Sequence, residues 1–103
     1  MTWIQVAEDL QTLDEGKMHR VRIGDYWIVL VQIAGTIYAF DDNCTHMQES
    51  LSEGDLDGYV VYCPLHLSGF DIRTGQVLSP PAETELAVYP VKLEEQKVWV
   101  AIP

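Results

Sequence analysis

Residues 26–40, YWIVLVQIAGTIYAF, read as two β-strands, Tyr26–Ile33 and Thr36–Phe40, joined at Ala34–Gly35. β-Branched and aromatic side chains crowd both halves, and AG supplies the small or φ-positive residues that a tight hairpin demands. The run YWIVLVQI is strongly apolar, yet it falls far short of the ~20 residues that a membrane-spanning helix needs. Outward from this hairpin the same pattern recurs. Strands are predicted near Ile4–Ala7, Met18–Ile23, Gly58–Tyr62, Phe70–Ile72, Val88–Leu93 and Lys97–Ile102, with further turn signals in GD at 24–25 and DG at 57–58. AEDLQTL at 7–13 can form a short helical turn, and no long amphipathic helix is visible. The fold class predicted is all-β, an antiparallel sandwich or small barrel. With 103 residues and no repeat, low-complexity tract or linker, the chain is expected to form one domain, 1–103.

Composition narrows the function classes. At 48% hydrophobic residues the chain can bury a real core. The formal net charge of −10, from 16 acids against 6 bases, argues against nucleic acid as a partner. Between Asp41 and Ile72 there are seven acids (Asp41, Asp42, Glu49, Glu53, Asp55, Asp57, Asp71) and no Lys or Arg. A solvated acidic face is the plain reading; steering of a basic partner, weakened by salt, is the functional one. No N-terminal segment joins basic residues to an apolar run, so no signal peptide is expected, and the protein reads as soluble and cytoplasmic with reduced thiols.

Three irregular stretches interrupt the strand pattern, at about 41–57, 63–70 and 79–83, and such loops on a rigid β scaffold commonly hold chemistry. Two of them carry both cysteines of the chain, each with a histidine close behind: Cys44 with His46 in CTH, and Cys63 with His66 in CPLH. Thiolate and neutral imidazole are both ligands for borderline and soft metals. Two sites fit this donor set. One is a single Zn²⁺ with Cys₂His₂ ligands; the other is a [2Fe–2S] cluster with both thiolates on one iron and both imidazoles on the other. Zinc usually shows C-x-x-C or longer histidine spacings. A catalytic cysteine using His46 as base leaves the second pair unexplained.

CTH, CPLH and the later FDIRTGQVLSPPA, within roughly residues 36–90, resemble the Rieske ferredoxin family, more narrowly the soluble Rieske-type ferredoxins that serve bacterial oxygenases. The resemblance implies an antiparallel β-sandwich with a small cluster-binding subdomain. It implies one [2Fe–2S] cluster, with Cys44 and Cys63 on the inner iron and His46 and His66 on the outer, more exposed iron. Pro80 and Pro81 match the proline-bearing loop that covers the cluster. High-potential relatives carry an extra cysteine pair, as in CTHxGC and CPCHGSxY, whose disulfide joins the loops; here Glu49 and Leu65 stand at those positions. Phe70 replaces a tyrosine whose hydroxyl bonds a cluster sulfur, whereas Ser68 matches the corresponding serine. Leu67 replaces a usual glycine. A midpoint low in the family range of about −150 to +300 mV is therefore expected.

The expected function is one-electron transfer from a flavin-dependent ferredoxin reductase to a terminal oxygenase, with no bond-making chemistry in this chain. The alternatives are a small Rieske-like subunit of an assimilatory nitrite reductase and a zinc-stabilised interaction module. A terminal oxygenase itself would need a further 2-His-1-carboxylate iron site, for which only His19 is left. His19 is read as a strand-surface histidine, and Met47 as loop filler or a cluster shield. Trp3, Trp27 and Trp99 are read as core, and Lys17, Arg20 and Arg22 as an ordinary edge-strand surface.

Overall fold

The computed structural model describes residues 1–45, 49–64, 68–80 and 82–103. Its strands are β1 (Thr2–Ala7), β2 (His19–Ile23), β3 (Tyr26–Ile33), β4 (Thr36–Asp41), β5 (Asp55–Asp57), β6 (Val60–Tyr62), β7 (Gly69–Asp71), β8 (Val88–Tyr89), β9 (Val91–Glu94) and β10 (Lys97–Ile102). They pair antiparallel in the orders β1-β10-β9, β2-β3-β4-β8 and β5-β6-β7. This is the all-β class read from the sequence.

The four-stranded sheet lies in the middle, which explains why Ile28–Val31 of β3 are all apolar rather than alternating. Ile28 and Leu30 point to one side, into a core with Leu13, Ile23, Ile37, Ala39, Val98 and Val100. Val29 and Val31 point to the other, into a core with Phe40, Leu51, Val61, Phe70, Ile72, Ala82, Leu86 and both cysteines. All four β3 residues are fully buried, each burial stabilising by roughly 1.5–3 kcal/mol. The second core joins the sandwich to the smaller sheet, β5-β6-β7, and its loops.

Several elements differ from the sequence expectation. The predicted strand Val88–Leu93 is two strands split at Pro90, which lacks an N–H for the ladder. β8 pairs with β4 in the middle sheet and β9 with β10 in the outer one, so the chain changes layer there. The stretch 41–57 is not wholly irregular: a 3₁₀ turn spans Leu51–Glu53, and Asp55–Asp57 is a strand. That strand is too short and too acidic to announce itself, and pairing with β6 makes it. The helical turn expected in 7–13 is a 3₁₀ turn, Leu10–Thr12, capped by the Asp9 carboxylate accepting from Gln11 N–H. Trp3 and Trp27 are 39% and 38% exposed rather than core, because each lies on an outward face beneath a cation. His19 is half-buried, and its buried Nε2 has no hydrogen-bond partner among the described residues.

One hairpin gave no signal of glycine or asparagine. Glu95 and Gln96 join β9 to β10 with φ of 52° and 71°, both in the left-handed region that two-residue hairpins use. Side chains there carry a steric cost of order 1 kcal/mol each. The double change Glu95→Asn and Gln96→Gly is expected to raise stability by about 1 kcal/mol, or roughly 4–8 °C in Tm. A calorimetric scan showing no gain would contradict the strain argument.

Candidate metal centre

Each cysteine opens a loop closed by the same backbone bond. Cys44 N–H donates to the Glu49 carbonyl at 2.9 Å, and Cys63 N–H donates to the Ser68 carbonyl at 2.9 Å, each five residues on. The thiols are 1% and 0% exposed, and neither is in a disulfide. The first loop is further tied by Leu51 N–H to the Asp42 carbonyl (2.6 Å) and by an antiparallel bridge between Asn43 and Ser50. The second follows directly on β6 and returns into β7 at Gly69. His46 and His66, expected to complete the donor set, lie outside the described residues, as do Met47, Leu65, Leu67 and Pro81. Among the described residues no group of three or more His, Cys, Asp or Glu is gathered for a metal.

The third loop ties both others together. Thr45 Oγ1 donates to the Thr84 carbonyl at 2.7 Å, and Ala82 N–H donates to Ser68 Oγ at 3.0 Å. Ser79 Oγ accepts from Gly69 N–H at 2.7 Å. With Glu49 and Leu65 in place of a cysteine pair, this hydrogen-bonded clasp is the cross-loop constraint seen among the described residues. Sequence reading placed Ser68 beside the site but missed Thr45, Thr84 and Ser79, whose contacts span long stretches of chain. Ser68 is fully buried, and because its oxygen accepts from Ala82, its own proton remains available to donate. Phe70, also fully buried, offers no hydroxyl.

The donor chemistry fits an iron–sulfur group. Two sulfurs buried in an apolar core suit ligands that share their charge with a metal. Around the loops the surface is acidic: Glu53, Asp55 and Asp57 are exposed, and so are Glu83 and Glu85 on the third loop. Asp41, where β4 meets the first loop, has its carboxyl pushed above the usual range by burial, with the Asp42 charge adding to this. Burial also pushes the Tyr89 hydroxyl up to about 12, with Asp41 and Tyr26 contributing.

Comparison with known proteins places the chain in a family. The family described as Rieske [2Fe-2S] domain matches residues 2–90. The ferredoxin component of the naphthalene 1,2-dioxygenase/salicylate 5-hydroxylase systems of a Ralstonia species is 38% identical over 98 residues, covering 95% of this chain and 93% of that protein. A ferredoxin solved in complex with the reduced oxygenase of carbazole 1,9a-dioxygenase superposes with a TM-score of 0.89 at 37% identity, covering 96% of this chain and 92% of that one. The carbazole 1,9a-dioxygenase ferredoxin of Nocardioides aromaticivorans IC177 shares the fold, with a TM-score of 0.91 at 24% identity and 98% of each chain covered.

Proposed function

This chain belongs to the Rieske [2Fe-2S] domain family, and on that premise we propose that it is a one-electron carrier between a flavin-dependent reductase and a terminal oxygenase. The family's cofactor is a [2Fe–2S] cluster, which when bound takes up and releases one electron. We assign Cys44 and Cys63 to one iron and His46 and His66 to the other. The observation that carries this reading is the pair of buried, disulfide-free thiols on two loops held by a common clasp. The core around the sulfurs excludes water, and the clasp holds the loops in one geometry, so little rearrangement accompanies a change of charge. Ser68 supplies one hydroxyl proton and Phe70 none, which supports a midpoint low in the family range of about −150 to +300 mV.

The chain performs no bond-making step in this reading, and residues 1–103 act as one domain in the cytoplasm, where thiols stay reduced. The purified protein is expected to be red-brown, with two irons and two acid-labile sulfides per chain and a rhombic EPR signal after reduction. A colourless protein holding one zinc would end the proposal.

The acidic rim around the loops supports docking to basic partner surfaces. Transfer from reduced carrier to oxygenase, followed by stopped-flow, is expected to slow roughly tenfold as the Debye length shrinks from about 10 Å at 0.1 M salt to about 3 Å at 1 M. A rate independent of salt would remove the steering role from these acids.

A further inference from the structure

We propose that Arg20 and Asp42 form an electrostatic strut that fixes the first ligand loop and sets the potential of the metal centre, an inference that rests on the cluster reading above. Asp42 stands two residues before Cys44 and is 2% exposed, so its carboxylate has left water almost entirely. A charge so placed needs compensation. Its Oδ2 meets Arg20 Nε at 2.9 Å, and its Oδ1 accepts from Ser52 N–H at 2.8 Å. Its backbone N–H donates to the Trp27 carbonyl at 2.9 Å, and its carbonyl accepts from Leu51 N–H at 2.6 Å. One residue thus bonds to β2, to β3 and to the first two residues of the 3₁₀ turn that closes the first loop. Arg20 itself is held from above, its guanidinium 3.8 Å from the centroid of the Trp27 ring. The indole covers one face of the guanidinium, while the Arg20 side chain keeps 42% exposure, so the pair joins a buried carboxylate to a partly solvated cation and solvent screens it in part. Arg20 is therefore not the ordinary surface residue expected from its place on an edge strand.

The two charges must act on the metal centre with opposite signs. A carboxylate near it favours the oxidised, more positive state, and the guanidinium offsets that effect. A merely structural strut behaves differently, because loosening either end disturbs the same loop in the same way. Redox titration of the purified holoprotein separates the two. Arg20→Gln is expected to lower the midpoint, Asp42→Asn to raise it, and the double variant to return close to the parent. Arg20→Lys, which restores the charge, is expected to stay near the parent, and Arg22→Gln, the same charge change without a buried partner, to move less than Arg20→Gln. Should Asp42→Asn fail to fold, the order Lys above Gln above Glu at position 20 carries the test alone. Shifts of the same sign at both positions, or Lys and Gln variants with one midpoint, would overturn the proposal. If the parent chain holds no cluster, the cluster reading fails by itself. The strut is then judged by a thermal-unfolding cycle over Arg20→Gln and Asp42→Asn, where coupling supports it and additivity removes it.

Discussion

Cys63→Ser is expected to leave the protein without iron and without colour. Cys63 is fully buried in the core that joins the middle sheet to the smaller sheet, and its N–H closes the second ligand loop onto Ser68. Serine keeps the volume and the backbone bond, so the fold tolerates it, yet an alkoxide is a far poorer ligand for iron than a thiolate. Iron per chain should fall from two to near zero, read by absorption and metal analysis, while far-UV circular dichroism still reports strands. His66→Cys is expected to act oppositely: the cluster assembles, and the added thiolate charge makes it harder to reduce, lowering the midpoint. A Cys63→Ser protein that keeps full colour would remove Cys63 from the ligand set. An assembled His66→Cys variant with unchanged midpoint would do the same for His66.

The second large effect is predicted at a residue that carries no chemistry. Gly54 ends the 3₁₀ turn of the first ligand loop, and a Cβ there would collide with the Tyr62 carbonyl oxygen, with Pro64 Cδ also only 3.2 Å away. Its φ of −87° suits any residue, so the requirement is purely the close approach of two backbones. Tyr62 directly precedes Cys63, and relieving the clash moves one ligand loop against the other. Gly54→Ala is expected to cost about 3 kcal/mol or more, roughly 10–20 °C in Tm, and to lower iron occupancy. Gly24→Ala is the matched comparison. There φ is +60° but a Cβ would meet nothing within 4 Å, so only the conformational cost of about 1 kcal/mol applies. Equal losses at the two positions would show that backbone conformation, not the approach of the two loops, governs Gly54.

Much of the fold is legible in the residues. The hairpin at Ala34–Gly35 is where the sequence places it, with both residues at positive φ, and β3 and β10 have the predicted bounds. Where reading failed, a distant partner decided. Asp55–Asp57 is a strand because β6 lies beside it, and Trp27 stays half outside because Arg20 and Arg22 lie over its ring. Pro90 was visible in the chain, but its consequence, a change of sheet, follows from where β4 and β10 sit.

By itself the amino-acid sequence determined the strand class and the spacing of the two Cys/His pairs, because side-chain period, turn conformation and residue type reside within a few neighbouring residues. Only tertiary structure decided that the middle sheet is covered on both faces, that Thr45 meets Thr84 and Ser68 meets Ala82, and that Arg20 neutralises Asp42. Those contacts join segments far apart in the chain, and which of them form depends on how whole layers pack, a sum that no local window of sequence contains.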